Sequence, residues 1–403
     1  MIMNSEQTRQ LPLTGLKVLE LGQLIAGPFA TKLLGEFGAD VIKIEPPGTG
    51  DPLRKWRILE DGTSLWWHVQ SRTKRSVTID LRQREGQDLV RALAREADVL
   101  VENFRPGTLE RWGLDYPALS AANPGLILVR VSGYGQTGPY RDRPGFGVIG
   151  EAMGGLRYLS GQPGEPSVRV GVSIGDSLSA LYAVIGTLLA LQERQRSGLG
   201  QEIDVALYES VFAMMESLLP EYDATGHVRQ PSGSALPGIT PSNAYRTRDG
   251  DFVLIGGNGD SIFKRLMTLI GRDDLGEDPA LAHNDGRAAR ATEIDAAITA
   301  WTSSRGRDDI LAALDAARVP AGYPYTAADI ADDPHYRARG MIETIIRANG
   351  KPLKVPAVLP RLSATPGRLG NGGTALGADT DAVLDALGID ADTRARLREA
   401  GIV

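Results

Sequence analysis

The sequence predicts an α/β protein in which a Rossmann-like, doubly wound parallel sheet forms a large domain and a smaller α+β domain follows. Three observations carry this. Residues 16–45 read as strand, turn, helix, strand; the alternation continues to about residue 131; and the texture of the chain changes after Glu221. At 403 residues the chain exceeds one ordinary hydrophobic core, so two domains are expected.

The first strand, residues 16–21, is short and apolar, as a buried parallel strand should be. Gly22 and Gly27 bracket a turn, Pro28 suits the first turn of a helix over residues 29–37, and Gly38 is a good terminator. Residues 41–44 then form the second strand and complete a right-handed βαβ unit. Residues 76–81, 98–102 and 126–131 read as further strands, with a helix over 86–96. A glycine-rich passage, 133–155, leads to a β-like stretch at 168–172 and a long apolar helix over about 176–196. Residues 222–235 are polar and rich in Gly, Pro and Ser, which reads as a linker after a large domain of residues 1–221. The small domain covers residues 236–325, with a strand at 251–256 and helices at 262–270 and 291–301. Residues 326–403 are expected to link back to the large domain.

Composition narrows the class. Apolar residues make up 42% and charged residues 23%, as in soluble globular proteins. A net charge of −6 argues against general affinity for nucleic acid or acidic membranes, so any anionic ligand needs a local cluster of cations. Cysteine is absent, which excludes disulfides, thiolate metal sites and a cysteine nucleophile. The first 15 residues lack an apolar signal-peptide core, and the apolar stretch at 178–191 reads as too interrupted for a membrane span. A cytoplasmic enzyme is the expectation.

Several patterns bear on chemistry. The turn Gly22–Gly27 resembles a phosphate-binding βα turn, but it is not G-x-G-x-x-G. Glu45 ends the second strand, where dinucleotide enzymes keep a ribose-binding acid; half of that motif is missing. Cations are dense between Arg54 and Arg111, and Arg82, Arg105 and Arg111 fall at or just beyond the ends of predicted strands, where ligands of open sheets collect. A 3′-phosphorylated adenosine diphosphate, as in coenzyme A, suits such a set. The four histidines, His68, His227, His283 and His335, lack metal-ligand spacing, so no metal is expected. Gly171–Gly175 matches the nucleophile-elbow pattern G-x-S-x-G around Ser173, which leaves a serine hydrolase as one alternative. The adjacent Asp176 starts the long helix. It reads either as an ordinary N-cap or as a nucleophile that attacks a thioester and forms an anhydride, kept ionised by helix N-terminal amides.

Taken in order, residues 16–45 (LKVLELGQLIAGPFATKLLGEFGADVIKIE), 74–81 (KRSVTIDL), 98–107 (DVLVENFRPG), 132–139 (SGYGQTGP) and 175–200 resemble the class III CoA-transferases. That family includes formyl-CoA transferase, carnitine CoA-transferase and 2-methylacyl-CoA racemase. The resemblance spans nearly the whole chain. It implies that Asp176 is the catalytic nucleophile, working through an aspartyl anhydride and an aspartyl–CoA thioester. It also implies that CoA lies along Ile25, Ala26, Ile79, Asp80, Leu81, Arg82, Asn103, Phe104, Arg105 and Arg111, with Phe146 at the same site and a loop at 232–238 over the intermediate. Acyl-CoA and small carboxylic acids are the implied partners, and an interlocked homodimer the implied assembly.

Two positions depart from relatives. Formyl-CoA transferase carries a tyrosine and an acid where Phe146 and Gly147 stand, and racemases carry a His-Asp pair there. Phe146 and Gly147 transfer no proton, which favours transferase over the alternative racemase or isomerase. Features around Gly133–Pro139 and Arg169 look closer to members that use C4–C6 dicarboxylates. Arg169 reads equally as a partner for a distal carboxylate and as a structural cation.

Overall fold

A computed structural model describes residues 9–370 and 372–403. Six strands, β1 (Lys17–Glu20), β2 (Asp40–Glu45), β3 (Lys74–Thr78), β4 (Val99–Glu102), β5 (Ile127–Ser132) and β6 (Glu202–Ala206), pair in parallel in the order β3-β2-β1-β4-β5-β6. Growth of the sheet changes direction between β1 and β4. That is the strand order of a doubly wound sheet, and ligands of such sheets sit beyond the strand carboxyl ends at the reversal.

Both faces of the sheet are covered, and the apolar strand residues divide between two cores. Leu19, Ile44, Val77, Leu100 and Leu128 face helix α2 (Arg84–Ala94), which contributes Leu89, Val90 and Leu93. The intervening residues Val18, Val41, Val99, Ile127 and Val129 share the other core with α1 (Ala26–Glu36) and α4 (Ile174–Ser197). Between them in the chain lies the short α3 (Gly147–Met153); α5 (Leu207–Phe212) follows β6.

The helix α4 has 24 residues and ends at Gly198, whose φ of 75° is the left-handed conformation common after a helix. Its length and composition reach those of a membrane span, contrary to the reading of residues 178–191 alone. One side carries Ala180, Ala183 and Ala190 against the sheet, as in a core helix. The other exposes Leu181, Ile185, Leu188 and Leu189.

Contacts divide the chain into two units. Of the described residues, the first comprises 9–157, 170–220, 337–370 and 372–403; the second comprises 158–169 and 221–336. Residues 158–169, which the sequence reading keeps with the first 221, pack with the second unit; there Gly233 donates its N–H to the Gly161 carbonyl at 2.9 Å. The second unit holds an antiparallel sheet of β7 (Ser242–Arg246), β8 (Phe252–Gly256) and β9 (Ala321–Gly322), with β8 central. Its core is closed by α6 (Asp260–Leu269), α7 (Ala291–Thr302) and α8 (Arg307–Ala316). In the tail, β10 (Ile342–Ile346) and β11 (Pro352–Pro356) form a hairpin, and α9 (Thr380–Ala386) and α10 (Ala391–Glu399) follow. Val383, Leu384, Leu397 and Ile402 join the core beneath α2.

Three local expectations change. Ile79–Leu81 do not continue β3: the Ile79 N–H still reaches the Glu45 carbonyl at 2.9 Å, but Asp80 N–H turns to the Ile402 carbonyl at 2.8 Å. Residues 168–172 form no strand. The linker expected at 222–235 begins inside a helix, Leu218–Thr225. The edge strand β6 is absent from the sequence reading, although Glu202 and Asp204 alternate with apolar residues as in a half-buried strand.

Candidate active site

The loops following β1 and β4 are held by buried polar contacts. Lys43, from β2, donates to Glu20 at 2.7 Å, to the Gly22 carbonyl at 2.8 Å and pairs with Asp51 at 2.8 Å. Lys74, from β3, reaches Glu20 at 2.8 Å and the Pro28 carbonyl at 2.6 Å. Burial alone would raise the Glu20 carboxyl, yet Lys43 and Lys74 hold it below its usual range. Burial lowers Lys74 to about 8 against the pull of Glu20. Within the turn, Leu24 takes φ of 64°, a costly conformation for a residue with a side chain, and its N–H is held by both Asp51 carboxylate oxygens at 3.1 Å. Asn103 seals the turn from β4: its Oδ1 accepts the Gln23 N–H and its Nδ2 donates to the Gln23 carbonyl, both at 2.8 Å. Gly22 and Gly27 allow this approach, because a Cβ on Gly22 would lie 3.2 Å from Asn103 Oδ1.

These contacts sort the sequence-level candidates. Glu45 accepts two bonds from Arg54 at 2.7 Å and one from Ser76 at 2.7 Å, so it is a structural anchor instead of a ribose ligand. Arg72 and Lys74 are likewise buried against Glu36 and Glu20. Ile25, Ala26 and Ile79 are buried, which leaves their main chain as the part a ligand can meet. Asp80 is buried and grips the exposed Arg82 by two bonds, at 2.8 and 2.9 Å, while Leu81 packs against the core. Phe104 stacks edge-on with Trp112 at 5.2 Å. Arg105 and Arg111 are exposed, with Arg111 donating to Thr108 at 3.0 Å. All these loops leave the carboxyl ends of β1, β3 and β4.

Asp176 belongs to the same end of the sheet. Near the far end of α4, Arg194 pairs with Asp98, just before β4, at 2.9 Å and donates to the Gly125 carbonyl at 3.0 Å. The helix therefore runs antiparallel to the strands. At about 1.5 Å per residue, its first turn reaches past their carboxyl ends. Asp176 is the third helical residue, one turn inside the Ser173 cap, so it is not the N-cap the sequence suggested. Gly147 and Gly175 let α3 close on it, and Gly150 lets α3 close on α5. A Cβ on Gly147 would overlap Asp176 Oδ2 and lie 2.9 Å from its Cγ; a Cβ on Gly150 would lie 2.8 Å from that of Leu207; and one on Gly175 would lie 3.2 Å from the Gly147 carbonyl oxygen. Phe146, at 65% exposure, caps α3 beside this contact. The Gly147 packing was hidden in the sequence, where Gly147 appears only as a missing proton-transfer group. Ser173, by contrast, lacks the preceding strand that a nucleophile elbow requires.

A six-stranded parallel sheet with helical cores on both faces defines an α/β protein. The chain matches CoA-transferase family III over residues 13–380 and belongs to that family; it is a CoA-transferase. It is similar to the succinyl-CoA–D-citramalate CoA-transferase of Chloroflexus aurantiacus, with 49% identity over 99% of this chain and 100% of the relative. It is also similar to the succinate–glutarate CoA-transferase of Agrobacterium fabrum, with 37% identity over 84% of this chain and 86% of the relative. Among solved structures, a CAIB/BAIF family protein from Brucella suis superposes with a TM-score of 0.82 at 38% identity, covering 94% of this chain and 100% of that one.

Gly147→Ala is expected to push the Asp176 carboxylate out of its place and to lower the transfer rate by about a hundredfold, with little loss of secondary structure. Steady-state kinetics alongside circular dichroism check this; an unchanged rate would mean that the position of the carboxylate does not depend on the bare Cα.

Proposed function

We propose that the protein moves CoA from succinyl-CoA to a C4–C6 dicarboxylic acid through covalent intermediates on Asp176. The observation that carries this reading is the Asp176 carboxylate in the first turn of α4, pressed against the bare Cα of Gly147. A carboxylate oxygen attacks the thioester carbonyl, the C–S bond breaks, and an aspartyl–succinyl anhydride forms with free CoA thiolate. The thiolate then attacks the aspartyl carbonyl; the anhydride C–O bond breaks and succinate leaves. The acceptor carboxylate attacks the resulting aspartyl–CoA thioester and frees the thiolate again. Thiolate attack on the acceptor's acyl carbon completes the product and returns Asp176 as carboxylate. No proton is transferred overall, which accords with a Phe146–Gly147 pair that carries none.

In this reading CoA runs along the main chain of Ile25–Ala26 and 79–82, past Asn103–Phe104–Arg105 and Phe146. Arg82, Arg105 and Arg111 meet its phosphates. The acids are taken from those of the two transferase relatives. Their distal carboxylate calls for a cation, and Arg143 is the one proposed. Arg143 stacks 3.7 Å above the Tyr140 ring, three residues before Phe146.

The proposed assembly is a cytoplasmic, interlocked homodimer. The apolar row Leu181, Ile185, Leu188 and Leu189 on α4 supports it, since a second copy would remove this surface from water.

Intact-protein mass spectrometry after mixing with succinyl-CoA, followed by borohydride and peptide mapping, is expected to show a CoA adduct or a reduced aspartate on the Asp176 peptide. Asp176→Ala should lose both the adduct and turnover; full turnover in that variant would end the covalent mechanism. Light scattering during size exclusion should give twice 43.1 kDa, and Leu189→Lys should shift the protein toward monomer. A monomeric wild type would end the assembly proposal.

A further inference from the structure

Glu102 is the last residue of β4 and is 1% exposed. Its Oε1 accepts the Arg130 Nε–H at 2.8 Å, and its Oε2 accepts the Phe104 N–H at 2.7 Å. Arg130 stands opposite Glu102 in the β4–β5 register and is 4% exposed. Its Nη1 also reaches Glu110, from the short helix after the loop, at 2.7 Å and Glu202, from β6, at 3.1 Å. Next to Phe104, Asn103 fastens Gln23 by two bonds. Hydrogen bonds therefore run from β6 through β5 and β4 into the loop after β4, and on to the loop after β1.

Glu110 and Glu202 already give Arg130 two carboxylates. What Glu102 adds is the bond to the Phe104 main chain. Burial pushes the Glu102 carboxyl up to about 7 against the pull of Arg130, so its ionised form is held at a cost to the fold. A buried acid of this kind needs a reason other than stability. The loop it grips is short of regular partners, ending in Pro106 and a Gly107 with φ of 82°. Ordering that loop before a ligand arrives removes an ordering cost from binding.

We infer that Glu102 is a positioning residue which, braced by Arg130, holds the 103–105 main chain in the conformation that receives CoA. This rests on the reading that CoA lies along residues 103–105. Glu102→Gln keeps the volume but leaves one carbonyl oxygen for two donors. Titration calorimetry with free CoA is expected to show binding about tenfold weaker than wild type, the loss of one charge-assisted hydrogen bond. The melting temperature should stay within about 3 °C. In the wild type without CoA, hydrogen exchange should find the Phe104 amide already protected. Equal affinity in the variant, or a rapidly exchanging Phe104 amide, would overturn the inference. A lowered melting temperature with unchanged affinity would do so as well, since that marks a purely structural role. A wild type that does not bind CoA would overturn both this inference and the CoA path. A wild type that binds CoA with the expected difference, yet forms no adduct on Asp176, would leave this inference standing and remove the covalent mechanism.

Discussion

The buried charges beneath the first βα turn are the constraint from which the rest of the site follows. Glu20, Glu45 and Asp51 are matched there by Lys43, Lys74 and Arg54, all at most 8% exposed. Taking such groups from water is expensive, and removing one member would leave an uncompensated buried charge at a cost of about 3–5 kcal/mol. The set therefore behaves as a unit. Because Lys43 also holds the Gly22 carbonyl and Asp51 holds Leu24 in its left-handed conformation, this unit dictates the path of the turn. A flexible glycine turn thereby becomes a preformed one.

The same logic extends across the sheet. Asn103 ties the first turn to the loop after β4, and Glu102 with Arg130 ties that loop to β5 and β6. Arg54, besides pairing with Glu45, lies 3.9 Å over the Trp67 ring, so a cation that looked available for a phosphate is consumed by the fold. Exposed cations remain at Arg82, Arg105 and Arg111, on the loops that these buried pairs hold in place. These cations stand at the rim of a frame whose turns are fixed from below by buried pairs.

Helix packing places the Asp176 carboxylate. Gly147 and Gly150 let α3 approach α4 and α5 more closely than any larger residue would, and Gly175 does the same from α4. This accounts for two of the glycines in the passage between residues 133 and 155. The sequence reads it only as a glycine-rich passage; in the structure part of it is a helix whose small residues make room for a carboxylate. The elbow-like pattern at Ser173 was misleading for the converse reason: five residues matched, but the backbone leading into them is not a strand.

The sequence by itself determined the alternation of strands and helices through Val131, the start of the long helix near Asp176 and, through its ordered motifs, the family. Those features are written in residues adjacent along the chain, where period, turn residues and short motifs are read directly. Only the tertiary structure decided which charged residues were structural, that residues 158–169 belong to the second unit, and that Gly147 borders Asp176. It also decided that Glu102 faces Arg130. Each of these rests on groups distant in sequence meeting in low dielectric, where pairing, burial and the space left by a missing Cβ decide the outcome. No local pattern records them.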